Sequence, residues 1–324
     1  MSTTTSSSPS AVLDATGTAG TGAGAAVWSL AKLEAARNLR GAPLWIGLLG
    51  CALATRTMAD EWQSGVYSLF PTWFIPLAIG IFVSGVRSGG RDRHVSAPPL
   101  AEEAALGPAS RATARLLGLL PLVAIGAVLV AMVALGIRVE GGHWVGDEPG
   151  RTDEAVQTVP EILQPVVLLV LAAAAGVAAG RAVRRRTPVL VLGVVLWFLF
   201  GMVTWAWEAV PVRYVTPVQT QPIEQTIGSA GADPDAFPDH WLLSAPDEYD
   251  REWDRVIVHQ PMAAWHDVYL VGLALAAAGF AVRGRGGRRA LVAGVLVATL
   301  GVGAQAAVAP PSSAEVAGST GDGP

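Results

Sequence analysis

The side chains able to do chemistry are few and widely spaced. The five histidines are His94, His143, His240, His259 and His266, and no HExxH or HxH spacing occurs among them. A helical zinc site of the hydrolase type needs two imidazoles on one helix face, so none is expected. His259 and His266 stand either side of Pro261, where solvated or interfacial imidazoles account for them more simply than a metal does. Cys51, the only cysteine, falls in an apolar run, which excludes an intrachain disulfide and the cysteine-based zinc sites and leaves a buried, inert thiol. Asp233, Asp235 and Asp239 in DPDAFPD lack the glycine and the closing glutamate of a calcium loop, so the segment reads as a polar turn. No GxSxG and no paired nucleophile and base stand out. The expectation is a chain with no catalytic residue, metal or cofactor of its own, and no nucleic-acid partner.

The background explains that poverty. Of 324 residues, 52% are hydrophobic and only 15% charged, and the mean hydropathy is +0.44. The apolar residues come in blocks of about twenty, the length that crosses a bilayer as a helix. Backbone groups in lipid must be satisfied internally, so helices are the default. No span has an ionisable residue near its centre; Arg56, Glu208 and Asp267 lie at or just past span ends. Proton- and ion-coupled carriers place such residues in mid-membrane, so this chain has no evident way to harvest a gradient. Its single lysine, Lys32 in WSLAKLEA, does not follow a glycine-rich turn. A Walker-type ATPase is excluded on that ground.

The elements that must position any site are read as an all-α polytopic bundle of about seven helices, six to seven, over residues 27–309. Expected spans are 42–58, 66–86, 116–137, 162–180, 188–207, 268–282 and 290–309. The sixth is short and needs flanking residues to cross. Residues 1–26, rich in Ser, Thr, Gly and Ala, and residues 310–324 read as disordered tails, the first without the basic start and apolar core of a signal peptide. Gly176 and Gly180 form a GxxxG, read as ordinary bundle packing. Trp62, Tyr67, Trp73, Trp205, Trp207, Trp265 and Tyr269 gather at the outer span ends and read as interfacial anchors.

Orientation follows from the basic residues. The N-terminal segment and alternate loops hold 16 of the 22 Lys and Arg, which places the N-terminus in the cytoplasm and the C-terminus outside. The setting expected is a bacterial plasma membrane. The outer loop 208–265 is acidic, with ten carboxylates against three arginines. In its second half, SAPDEYDREWDRVIV, Ser244 can cap a helix that puts Tyr249, Trp253, Val256 and Ile257 on one face. That helix is either a lid over an outer gate or a helix packed on its own loop.

The segment that asks most of the sequence is the basic loop 87–115, RSGGRDRHVSAPPLAEEAALGPASRATAR. A plain connector can be far shorter, as RGRGGRR before the last span shows. Arg91, Asp92 and Arg93 form an Arg–acid–Arg cluster, Glu102, Glu103 and Leu106 belong to a short helical piece, and Pro108 and Ser110 form a Pro-x-Ser element. This arrangement resembles the cytoplasmic loop of ABC-2-type ABC transporter permeases, notably actinobacterial ones. The preceding KLEAARNLR and the long loop between spans five and six share the resemblance. The family's Gly-Thr after the charged cluster is absent here, and a typical subunit has six helices.

The resemblance implies a membrane subunit with no cofactor of its own, ATP being bound by a partner ATP-binding subunit. The loop would dock on that subunit as a coupling helix. A second permease, identical or not, would complete the transporter in the lipid bilayer. The cargo class implied is a hydrophobic or amphipathic compound, exported. The competing expectation is a non-transporting anchor or sensor whose acidic outer loop binds a partner or a cation.

Overall fold

A computed structural model describes residues 19–59, 70–91, 106–139, 141–144, 154–183, 187–191, 193–195, 197, 212–219, 223–238, 242–246, 251–257 and 260–309. The described residues are mostly helical, and among them five helices are long and apolar enough to cross a membrane. In order, α1 is Ala19–Leu39 and α2 is Ala42–Ala59. A 3-10 turn, Phe70–Phe74, leads into α3, Ile75–Gly89. Helix α4, Pro108–Leu117, continues after a short break as α5, Leu120–Val139. Helix α6 is Val159–Ala182, α7 is Gln260–Val282 and α8 is Gly284–Val308. The membrane-length segments are Phe70–Gly89, Pro108–Val139, Val159–Ala182, Gln260–Val282 and Gly284–Val308, with Ala42–Arg56 a shorter apolar helix. Residues 187–191 and 193–195 are helical; the rest of the expected span 188–207 lies largely outside the described residues.

Several boundaries differ from the expectations. The chain is already helical from Ala19, so the last eight residues of the expected tail 1–26 belong to α1. The expected span 268–282 gains a polar start from Gln260, which supplies the missing length. Pro108 opens α4 as the first residue after Gly107, where a missing N–H costs nothing.

The helices approach very closely. A β-carbon on Gly176 or Gly180 would collide with the carbonyl oxygens of Phe82 and Val86, so the GxxxG is the α3–α6 seam within one chain. The α7–α8 hairpin is equally tight, with Gly272 and Gly294 against the opposing backbone. Leu77, Ile81, Leu122 and Leu169 fill the core between α3, α5 and α6. Trp73 is buried edge-to-face on Phe70 at 5.7 Å, and the Tyr269 hydroxyl donates to Val215 O at 2.6 Å. These two rings are therefore held by protein contacts; Trp62, Tyr67, Trp205 and Trp207 lie outside the described residues.

In the acidic loop, Glu252–Ile257 is a strand where a helix was expected. The loop forms a three-stranded antiparallel sheet of order β3–β5–β4: β3 Ile223–Ser229, β4 Leu242–Ser244 and β5 Glu252–Ile257. Ahead of it, the strands His143–Trp144 (β1) and Glu154–Ala155 (β2) form a small ladder. Trp253, Val256 and Ile257 thus sit on the central strand, with Ile257 opposite Ile223 and Val256 opposite both Glu224 and Leu242. Tyr249 lies outside the described residues; of the four residues expected on an outer gate helix, Trp253, Val256 and Ile257 stand on a strand instead. β-Branched and aromatic residues favour a pleated strand once partners exist on both sides. Trp253 is buried against Phe237, and Asp233 accepts from the Asp235 N–H in the expected polar turn. Burial lowers the Arg255 guanidinium from its ordinary value.

Candidate functional site

The site grows from one face of α1. Leu30, Ala31, Glu34 and Asn38 fall at helical spacing and all are buried, whereas Trp28 is exposed with the Lys32 ammonium 5.9 Å from its ring. A carboxylate and an amide thus stand on the buried face of α1.

Glu34 is fully enclosed and its carboxylate is the centre of a clasp. Oε2 accepts from Arg91 Nη1 at 2.6 Å and from the Ser88 hydroxyl at 2.9 Å, while Arg37 Nη1 lies 3.7 Å from Oε1. A buried carboxylate is tolerable only with such charged and hydrogen-bonding partners. Close packing sets the geometry. A β-carbon on Gly118 would stand 2.6 Å from that of Glu34, so α1 crosses the α4–α5 junction in contact. Beside the clasp is a small polar cavity of about 230 Å³, lined by Arg37, Asn38, Pro43, Ser84, Arg87 and Arg91.

The other end of the basic loop is held as well. Leu106 is buried in a satellite core with Leu30, Ala31 and Ala114. Arg111 Nη1 donates to Leu106 O at 2.7 Å, and Arg181 Nη1, at the end of α6, donates to Pro108 O at 2.9 Å. Ser110 lies in the first turn of α4, half-buried, and Arg115 on the same helix is fully buried. Of the expected loop residues, the structure thus places Arg91, Leu106, Pro108 and Ser110 around α1 and α6. Asp92, Arg93, Glu102 and Glu103 lie outside the described residues.

A second polar knot stands at the opposite end of the bundle. Gln305 Oε1 accepts from Gln219 Nε2 at 2.9 Å and lies 3.1 Å from His266 Nδ1; Gln305 Nε2 donates to Tyr214 O and Gly301 O, both at 3.3 Å. His266, Gln219 and Gln305 are fully buried. The imidazole is therefore a structural element of the helix packing, not a solvated or interfacial one. Among the described residues, no three His, Cys, Asp or Glu come close enough to hold a metal.

No family model matches the chain, and neither a curated protein nor a solved structure is significantly similar to it. Its function must be argued from these residues. Sequence reasoning missed Glu34, Ser88 and Arg181 as site residues. The available signal was Glu34 itself, the one acidic residue among Lys32, Arg37 and Arg40.

Proposed function

We propose that the chain is the membrane-spanning subunit of an ABC-2-type exporter for a hydrophobic or amphipathic compound, driven by ATP hydrolysis on a separate subunit. The observation that carries this reading is that both ends of the loop 92–105 are fastened to different helices. Arg91 is tied to α1 through Glu34, and Pro108 to α6 through Arg181. A loop held this way passes a displacement into the bundle instead of absorbing it, as a mechanically driven transporter requires. In this reading the basic end faces the cytoplasm, and α2 and the partly described helix at 187–197 bring the crossings from five to seven.

The test is a pull-down of the full chain from detergent, scored for a bound protein that hydrolyses ATP. Recovery of such a partner, with stimulated hydrolysis lost in Glu102→Arg and Glu103→Arg but unfolding temperature retained, is the expected result. A chain that purifies without any ATP-hydrolysing partner, or variants with undiminished coupling, would overturn it.

The ordered β3–β5–β4 module favours a second reading, an anchor or sensor that binds a ligand outside the membrane. Deleting residues 224–254 would then remove function, while changes in the basic loop would be silent.

A further inference from the structure

We infer that the α7–α8 hairpin carries a binding site for an anionic phospholipid, with the headgroup phosphate at the basic turn and an acyl chain along a groove on one side of the hairpin. At the turn is a cavity of about 610 Å³ lined by Phe280, Arg283, Arg285, Arg288, Arg289 and Leu291. Four guanidinium groups meet there, all on exposed residues. Among the described residues, none of the four has a side-chain hydrogen bond or a carboxylate partner. Arg285, Arg288 and Arg289 share one helix face, and like charges at that spacing oppose each other. An anion in the cavity relieves the repulsion, and phosphate matches the guanidinium fork.

The tail has a track. A second cavity, about 430 Å³, lies between the same two helices and is lined by Tyr269, Leu273, Ala276, Val295, Ala298 and Val302. On α7, Tyr269, Leu273, Ala276 and Phe280 follow at steps of four, three and four; on α8, Leu291, Val295, Ala298 and Val302 do the same. Such steps keep to one helix face, so the basic cavity and the apolar groove lie on the same side of the hairpin. A charged head with an apolar groove on the same side of the hairpin fits an amphipathic anion, and at the end of a membrane-length hairpin that anion is a lipid. A free phosphate would use the turn and leave the furrow empty. The inference does not depend on an ATPase partner.

The experiment uses the purified full chain in phosphatidylcholine nanodiscs containing a minor fraction of phosphatidylglycerol, with retained lipid counted by native mass spectrometry. The wild type is expected to retain phosphatidylglycerol preferentially. Arg288→Gln/Arg289→Gln lowers that preference about twentyfold, and Thr299→Trp, at a residue that also lines the furrow, fills it and lowers the preference as well. Arg251→Gln, at the far end of the molecule, leaves it unchanged. Circular dichroism and elution volume confirm that the variants are folded. Equal retention in the wild type and the double arginine variant would overturn the site. Inorganic phosphate displacing phosphatidylglycerol completely, with Thr299→Trp silent, would overturn the lipid as its occupant.

Discussion

Glu34 and Arg91, 57 residues apart in the chain, meet at 2.6 Å with the carboxylate fully buried. The helix that precedes the first apolar run is thereby locked to the far end of α3, where the basic loop begins. Losing one partner of a buried, hydrogen-bonded charge pair costs about 3–5 kcal/mol, because the other is left uncompensated. Glu34→Ala is expected to cost about 3 kcal/mol, the low end, since Arg91 is 27% exposed and can be solvated. Thermal unfolding in detergent measures it. A cycle with Arg91→Ala should show strong coupling between the two positions; additive losses would show that the contact is incidental.

The α3–α6 seam makes a sharper demand. Around Gly176 the nearest atoms are backbone, which cannot rotate away, whereas around Gly136 nothing lies within 4 Å. Gly176→Val should therefore cost more than about 3 kcal/mol, beyond ordinary overpacking, and abolish recovery of monodisperse protein. Gly136→Val should be recovered at wild-type yield. Fluorescence-detected size exclusion compares the two directly.

The contrast between what could and could not be read from the sequence has a physical basis. Apolar runs over α3, α5, α6, α7 and α8 were legible because lipid imposes length and polarity on each helix separately. The strand Glu252–Ile257 was not, because its state is decided by partners at Ile223–Ser229 and Leu242–Ser244 and not by its own spacing, which suits a helix face as well. Glu34 was overlooked for a related reason: a lone carboxylate on a helix is usually solvated, and only the arrival of Ser88 and Arg91 makes it buried and paired. The loop residues Arg91, Leu106 and Pro108 were picked out by resemblance, and their contacts with α1 and α6 lay beyond any local pattern.

The central position of β5 gives a test of the three-stranded module. Val256 pairs with Glu224 on one side and Leu242 on the other. Proline there removes a ladder donor and cannot be moved to an edge. Val256→Pro should render residues 223–257 sensitive to limited proteolysis while the membrane-length helices remain protected. Unchanged protection of the loop would argue that the sheet is not its working structure.

The buried knot at Gln305 separates a polar group's own worth from the cost of abandoning its partners. Gln305→Met keeps roughly the volume but removes the acceptor that Gln219 Nε2 and His266 Nδ1 share, along with the donor to Tyr214 O. Orphaning buried polar groups costs about 1–3 kcal/mol each, more than a made hydrogen bond contributes on balance. Gln305→Met should therefore lose about 2 kcal/mol or more and free the segment around residues 212–219, read as faster amide exchange there. Adding Gln219→Leu tests whether the two amides act as a unit: the double variant should lose less than the sum of the two single losses. If the second substitution instead adds its own loss in full, the two amides do not depend on each other, and the segment is held to the hairpin by packing of Tyr214 and Met262 rather than by this hydrogen-bonded knot.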